Sequence, residues 1–324
     1  MEHSIWLWLG FLAFVAALLA VDLGLLHRRP HEVGFAEALR LSAFYILLAA
    51  LFAAGVFHFQ GREAGLAFTT GYLIEKSLSL DNVFVFVLIF THFAVPPALQ
   101  HRALFWGITG ALALRAILIL IGAALIAAFH WILYLFGVVL LASGIKMLIT
   151  AGAEPDLANN RILGALRRRL RVTEGYEGTR FFLRRDGRLW VTPLFLVVAL
   201  IEVCDVVFAV DSIPAIFAVT QDTFIVFTSN VFAVLGLRAL YFALAGLVHR
   251  FHYLKYGLSL VLVVIGLKML IADLYHLPTW LALAITGVLI GGAVVASILW
   301  PPAKPVPRGW VPGSPRRARR GEGA

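Results

Sequence analysis

Five carboxylates lie inside long apolar stretches of this 324-residue chain. They are Glu75, Asp81, Glu202, Asp205 and Asp211. An aspartate at the centre of a membrane-spanning helix costs about 2.5–3.5 kcal/mol, whereas a leucine returns only about 0.3–0.6 kcal/mol. Carboxylates at such positions must pair with cations, take up protons or bind a metal ion. Their clustering predicts a cation site inside the membrane, and these five residues are its expected ligands.

Internal ion pairing is the competing interpretation, because three bases lie in the same stretches. These charge-balancing candidates are Lys76, Arg115 and Arg238. Five acids against three bases leave two formal negative charges, which one divalent cation would cancel. Both interpretations place the charged groups in the interior of the protein, away from lipid.

The spacing of the acids constrains how they can share an ion. Glu202 and Asp205 are three residues apart, about 60° around a helix, so they can contribute to one site. Asp205 and Asp211 are six residues apart, as are Glu75 and Asp81, which separates each pair by roughly 120° and 9 Å on a straight helix. We therefore expect either two ion positions or an unwound turn near one or both aspartates, and a proline three residues after Asp211 favours the unwound turn.

Further side chains with oxygen atoms that could bind a metal ion also lie in apolar stretches of the chain. The supporting candidates are Asp22, Ser79, Asn82, Ser212 and Asn230. Hard oxygen ligands suit Mg²⁺, Ca²⁺ or Mn²⁺, and the histidines show no ligand spacing with the acids, so zinc is less favoured. The single cysteine, Cys204, excludes a multi-cysteine zinc or iron–sulfur site.

The elements that position these residues follow from composition. Hydrophobic residues make up 61% of the chain and charged residues 14%, and the mean hydropathy is +0.91. Soluble proteins are about 45–50% apolar and about 25% charged. The chain is therefore expected to be an all-α polytopic membrane protein with about nine transmembrane helices. These are predicted at 5–26, 39–58, 66–91, 103–127, 130–150, 193–219, 223–247, 253–273 and 278–299.

The basic residues predict the orientation of the chain. With nine spans, most loop arginines and the basic C-terminal residues fall on one side, which the positive-inside rule makes cytoplasmic. The N-terminus is then outside and the C-terminus cytoplasmic. The net charge of +9 is explained by these loops, so no nucleic-acid partner is expected.

One long loop and the tail lie outside the spans. In the cytoplasmic loop 151–192, residues 156–170 have apolar residues near helical spacing and a basic face, which fits an amphipathic helix on anionic lipid or a plain solvated helix equally well. Asp186 and Gly187 predict the turn of a hairpin. Residues 301–324 are rich in proline and arginine and are expected to be disordered.

An internal duplication relates two thirds of the spans. GIKMLIT at 144–150 matches GLKMLIA at 266–272, ALALRAI at 111–117 resembles VLGLRAL at 234–240, and IEKSLSLDN at 74–82 aligns with CDVVFAVDS at 204–212. Residues 66–150 (spans 3–5) therefore repeat as 193–273 (spans 6–8). Residues 1–65 supply the first two spans and 274–300 the last. Three spans is an odd number, so the repeat is inverted, as in secondary transporters.

Longer motifs resemble a known family. They are VDLGLLHRR at 21–29, TGYLIEKSLSLDNVFVF at 70–86, QHRALFWGITGALALR at 100–115, IEVCDVVFAVDSIPAIFAVT at 201–220 and FTSNVFAVLGLRALYF at 227–242. Over about residues 5–300 the chain resembles the TerC family of integral membrane proteins, specifically its Alx-like members, within the LysE superfamily. The resemblance implies a bacterial inner-membrane protein associated with manganese efflux or supply and with tellurium resistance. The family's acidic residues fall on the same five carboxylates.

The expected function is that of a secondary transporter that exports a divalent cation, Mn²⁺ first, with proton exchange as the coupling and no permanently bound cofactor. No nucleotide-binding motif is present, which favours transport driven by gradients. Two alternatives stay open: export of a small cationic organic solute, and an accessory protein that delivers metal to exported enzymes. An enzyme is not expected, because the glycine–aspartate signature of aspartyl intramembrane proteases is missing at Asp81 and Asp211.

Overall fold

A computed structural model describes residues 4–24, 34–129, 131–149, 170–185, 187–244, 253–271 and 278–300, without the side chains of residues 22–24, 80, 81, 84 and 244. In the described residues the chain forms helices α1 (Ile5–Gly24), α2 (Phe35–Phe59), α3 (Arg62–His92), α4 (Pro97–Ala128) and α5 (Ile132–Ile149). A hairpin of β1 (Phe182–Arg185) and β2 (Arg188–Val191) follows. The second half comprises α6 (Pro193–Phe217), α7 (Thr223–Leu235), α8 (Leu237–Leu244), α9 (Leu254–Leu270) and α10 (Thr279–Leu299).

The predicted all-α polytopic fold is confirmed. Within the described residues, six helices are long and apolar enough to cross a membrane: α2, α4, α5, α6, the run from Thr223 to Ala243, and α10. The apolar part of α1 and the whole of α9 are shorter, and α3 carries charges near its middle. Helices lie at all nine predicted segments, but the number that cross the bilayer stays a prediction.

Helix α7 lies at the centre of the bundle. Its Phe224 packs edge-on against Trp8 of α1, and its Phe232 contacts Phe52 of α2 and Phe68 of α3. Large apolar side chains of the outer helices stay exposed, among them Phe59 at 85%. This arrangement is typical of a protein whose outer surface is solvated by lipid instead of water.

The helix contacts support the inverted repeat. Helix α3 packs along α7, and α6, the equivalent of α3, packs along α4, the equivalent of α7. Exchanging the two repeats therefore leaves this pair of contacts unchanged.

Helices α5 and α9 show the same reciprocity at atomic detail. A Cβ added to Gly144 would lie 2.9 Å from the carbonyl oxygen of Ser259 and 2.9 Å from the nitrogen of Val263. A Cβ added to Gly266, the repeat equivalent of Gly144, would lie 2.9 Å from the carbonyl oxygen of Gly137 and 2.8 Å from the nitrogen of Leu141. Gly144, late in α5, contacts the middle of α9, whereas Gly266, late in α9, contacts the middle of α5. The two helices are therefore antiparallel. The inverted repeat remains a prediction, and this contact is its strongest support.

The expected unwound turn near Asp81 or Asp211 is wrong. Helices α3 and α6 continue through both positions without a break. Pro214 lies three residues before the end of α6, so its missing N–H removes one hydrogen bond in a turn that is about to end. The interruption lies instead at Gly236, between α7 and α8.

A hairpin lies at the position predicted from the Asp186–Gly187 turn. Strands β1 and β2 are antiparallel, with Phe182 opposite Val191 and Arg185 opposite Arg188. Gly187 has φ of 71°, a conformation in which a residue without a Cβ is favoured. Residue 186, the expected amphipathic helix up to residue 169 and the expected disordered tail 301–324 lie outside the described residues.

Candidate functional site

Arg115 of α4 joins the two halves of the protein in its interior. Its Nε and Nη2 donate hydrogen bonds of 2.9 and 2.7 Å to the carboxylate of Asp205 on α6. Its Nη1 donates to the Glu75 carboxylate on α3 and lies 3.4 Å from the hydroxyl of Ser212. Arg115 and Glu75 are each 1% exposed and Asp205 is 2% exposed, so this charged triad is sealed from solvent and lipid. We call Glu75, Arg115 and Asp205 the triad.

The triad lies where the two predicted repeats meet. Glu75 and Asp205 occupy equivalent positions of the predicted repeat, 130 residues apart in the alignment of 74–82 with 204–212. One guanidinium binds both, because α4 places Arg115 between α3 and α6. The sequence predicted that these three residues lie in the interior, but it did not predict which acids would pair with which base.

The triad is short of positive charge. Two carboxylates and one guanidinium carry a formal net charge of −1 when all are ionised. The guanidinium fork holds both oxygens of Asp205. The second oxygen of Glu75, Oε2, is buried without a hydrogen-bond partner in the described part of the chain. This oxygen is a vacant acceptor for a proton or a cation.

Glu202 lies one helical turn before Asp205 and close to the same site. Its carboxylate rests on Gly110 of α4: a Cβ added to Gly110 would lie 2.1 Å from Glu202 Oε1. Glu202 Oε2 has no hydrogen-bond partner among the described residues. The absence of a side chain at Gly110 therefore creates the space that this carboxylate occupies, a role that no pattern in the sequence indicates.

Asp211 faces a different neighbour from Asp205. The hydroxyl of Ser143 on α5 donates a 2.6 Å hydrogen bond to Asp211 Oδ1, and Lys146 lies close enough to interact with this carboxylate electrostatically. The six-residue spacing thus directs Asp205 to α4 and Asp211 to α5, as an unbroken helix requires. Ser143 was not among the predicted site residues, since a single serine in an apolar span gives little signal.

Lys76, expected to balance a carboxylate, has a main-chain partner. Its ammonium donates a 3.1 Å hydrogen bond to the carbonyl oxygen of Ala233, in the last turn of α7. A cation is favoured at a helix C-terminus, where carbonyl groups lack helical partners. Lys268 similarly donates to the carbonyl oxygen of Ala218 at the end of α6, at 3.0 Å. Both lysines stabilise the ends of interior helices.

Four further predicted residues are buried. Ser79 and Asn82 on α3 are 0% and 2% exposed, Asn230 on α7 is 1% exposed and Arg238 on α8 is 6% exposed. Ser79 Oγ, Asn82 Oδ1 and both amide atoms of Asn230 lack hydrogen-bond partners in the described residues. The backbones of Asp22 and Asp81 lie in α1 and α3, but their side chains lie outside the described part of the structure.

Preformed metal coordination is absent from the described residues. No group of three or more His, Cys, Asp or Glu side chains lies close enough together there to hold an ion. The guanidinium of Arg115 lies between two of the predicted ligands, Glu75 and Asp205. The five-carboxylate metal site stays a prediction, and it requires Arg115 to leave that space.

Comparison with known proteins places the chain among membrane proteins. The family model described as "Integral membrane protein TerC family" matches residues 60–304. A protein of Myxococcus xanthus called "Uncharacterized membrane protein STKORF319" is 51% identical over 90% of this chain and 92% of its own length. A protein of Escherichia coli (strain K12) called "Putative membrane-bound redox modulator Alx" is 49% identical over 90% of this chain and 93% of its own. No solved structure matches the chain.

Proposed function

Because the chain belongs to the TerC family of integral membrane proteins, we propose that it is a secondary transporter that exports a divalent cation, Mn²⁺, in exchange for protons. In this proposal the protein lies in a bacterial inner membrane with its N-terminus outside and its C-terminus in the cytoplasm. The substrate crosses through the interior region that contains the triad.

The net negative charge of the triad carries the proposal. Two carboxylates that are 1% and 2% exposed share one guanidinium, and Glu75 Oε2 has no partner among the described residues. An uncompensated buried charge costs several kcal/mol. A bound cation or a proton would remove that cost, so the site favours cations and couples naturally to protonation.

Arg115 acts in this proposal as a tethered counter-ion. Its guanidinium holds Glu75 and Asp205 together while no substrate is bound, and a divalent ion replaces it during transport. Carboxylate oxygens are suitable ligands for Mn²⁺. Glu202, one turn from Asp205, supplies a third carboxylate that can take up the proton or join the ion.

The proposal is tested by transport in proteoliposomes, with Mn²⁺, Ca²⁺ and Mg²⁺ compared and internal pH followed at the same time. We expect Mn²⁺ flux with opposite proton flux, and a loss of about tenfold or more in Asp205→Asn. Glu63→Gln is the control for the loss of a carboxylate, because Glu63 is exposed in the first turn of α3 and lies outside the triad. Normal Mn²⁺ flux in Asp205→Asn contradicts the site, and Mn²⁺ flux without proton movement contradicts the coupling.

A cationic organic solute is the second candidate substrate, and one observation favours it. The carboxylates of Glu75 and Asp205 already bind a guanidinium, that of Arg115. A substrate with the same group would donate to the same carboxylate acceptors. Arginine flux that exceeds Mn²⁺ flux in the same proteoliposomes would support this candidate over the metal.

Redox modulation, which the name of the Escherichia coli relative suggests for that protein, takes an indirect form in this proposal. A thiol–disulfide couple within one chain needs two cysteines, and this chain has only Cys204. Metal supply to other proteins can alter redox balance without a thiol. We expect Cys204→Ala to keep full Mn²⁺ flux.

A further inference from the structure

The β1–β2 hairpin presents an exposed surface of mixed apolar and basic character. Side chains two residues apart on a strand, and those paired across it, share a face. Phe182, Arg184 and Leu189 therefore lie on one face. Phe182 is 50% exposed and Leu189 is 59% exposed, and Arg184 is exposed between them. We call these three residues the hairpin face.

The hairpin begins at the membrane boundary. A single residue, Thr192, separates the end of β2 at Val191 from the start of α6 at Pro193. With about 3.3 Å of rise per strand residue, the hairpin tip at Gly187 lies within about 20 Å of the first turn of a membrane-spanning helix. The ring of Phe182 also contacts the ring of Phe195 in that first turn, at 4.9 Å between centroids.

Contacts with the ends of α3 and α4 fix the orientation of the hairpin. The Tyr176 hydroxyl donates a 2.9 Å hydrogen bond to the carbonyl oxygen of Phe93. Phe181 contacts the Trp106 ring edge-on and lies 5.3 Å from the guanidinium of Arg102. The hairpin face is thus exposed on a docked element instead of a free loop.

Two arginines at the hairpin have no counter-ion in the described part of the chain. Arg185 pairs with Glu177 at 2.6 Å, but Arg184 and Arg188 are exposed without a hydrogen bond or ion pair among the described residues. Basic groups next to exposed phenylalanine and leucine are the pattern of surfaces that lie in the headgroup region of anionic membranes.

We propose that the hairpin binds the anionic phospholipids of the adjacent leaflet. Arg184 binds lipid phosphates from the hairpin face, and Phe182 and Leu189 enter the boundary between headgroups and acyl chains. Arg188 belongs to the opposite face but lies next to the turn at Gly187, so its long side chain reaches phosphates from the tip of the hairpin. The proposal requires that the chain spans a membrane, but not that it transports a metal. An acidic surface of a partner protein is the competing occupant.

The test uses the full chain in nanodiscs. Cys204→Ala removes the single cysteine, and Leu189→Cys then carries one environment-sensitive fluorophore on the hairpin face. Discs of phosphatidylcholine alone are compared with discs that contain phosphatidylglycerol. We expect a blue shift and protection from the neutral quencher acrylamide only in the second kind of disc. A label at Glu174→Cys, an exposed position of the same loop outside the hairpin face, is the control and should not respond.

Substitution of the arginines gives the decisive comparison. A basic residue near an anionic surface contributes about fivefold to the binding equilibrium, so Arg184→Gln with Arg188→Gln should remove most of the response, while lysine at both positions should keep it. Equal protection in both kinds of disc, no protection in either, or an unchanged response in the glutamine variant overturns the proposal. Protection that appears only when an acidic polypeptide is added instead of anionic lipid also overturns it, in favour of a protein partner.

Discussion

Replacing Arg115 with glutamine removes the guanidinium between Glu75 and Asp205. Both carboxylates are sealed from water, at 1% and 2% exposure, so solvent cannot screen their repulsion. Removal of one partner from a buried ion pair costs about 3–5 kcal/mol, and here a single change leaves two carboxylates without their cation. We therefore expect the Arg115→Gln substitution to lower the free energy of unfolding by about 5 kcal/mol, the upper end of that range, when a chelator is present.

The assay is unfolding by SDS in mixed micelles, followed by tryptophan fluorescence. Arg102→Gln is the matched control on the same helix, because Arg102 is exposed and its contact with the ring of Phe181 is worth only about 0.5–1 kcal/mol. A variant in which Glu75 and Asp205 are also changed to their amides should regain most of the lost stability, since no buried charge then remains.

Mn²⁺ gives the second half of this prediction. If the carboxylates form a cation site, the ion should stabilise Arg115→Gln more than the unsubstituted protein, because the guanidinium no longer competes. Equal stability of Arg115→Gln and the unsubstituted protein in chelator would refute the electrostatic reasoning. If Arg115→Gln is unstable and Mn²⁺ does not stabilise it, the ion pairs still explain the stability of the unsubstituted protein. That result would refute the cation site.

Three further predictions follow from close contacts. Gly144→Ala should lower the free energy of unfolding by about 1–3 kcal/mol, because the new Cβ would lie 2.9 Å from main-chain atoms of α9. Gly287→Ala on α10 is the control, because its Cβ would meet nothing within 4 Å and should cause no loss. SDS unfolding measures both variants. Gly110→Ala should displace only the flexible Glu202 carboxylate, so transport should fall while stability changes little, and equal transport would contradict a role for Glu202. Tyr176→Phe should weaken hairpin docking by about 0.5–1.5 kcal/mol, measured by hydrogen exchange. Burial raises the pKa of Tyr176 to about 12, so this contribution should be fully present below about pH 10 and be lost as pH rises toward 12.

The helices and the buried acids were predictable because their signals are local. An apolar run of membrane length specifies a helix almost regardless of its neighbours, and the cost of an acid in such a run indicates a function or a partner. The spacing of Asp205 and Asp211 led us to expect an unwound turn, but the helix is unbroken and the six-residue spacing directs the two side chains to different neighbours. These conclusions need only the geometry of one helix.

The partners of the charged groups were not predictable, since they depend on how three helices are rotated against each other. Arg115 could have faced any interior acid, and Lys76 was expected at a carboxylate but binds a carbonyl oxygen at the end of α7. Pro214 gave a misleading signal for an interruption, because a proline in the final turn of a helix costs little. The interruption lies at Gly236, a residue type that weakens helix interiors, and a Cβ added there would lie 2.9 Å from Lys76 Nζ.

The reciprocal contact between α5 and α9 has a consequence for vectorial transport. A surface that looks the same after the repeats are exchanged cannot distinguish one side of the membrane from the other. For a transporter of the kind proposed, directionality must therefore come from the parts that lack a counterpart. Among them is Glu202, whose aligned residue in the first predicted repeat is Tyr72. Arg115 has an aligned counterpart in Arg238, but Arg115 is the residue that binds both Glu75 and Asp205 in the described part of the chain. We therefore expect the double variant Tyr72→Glu with Glu202→Tyr to change the ratio of inward to outward flux more than it changes the affinity for the cation. Flux measured in both orientations of the protein would show this.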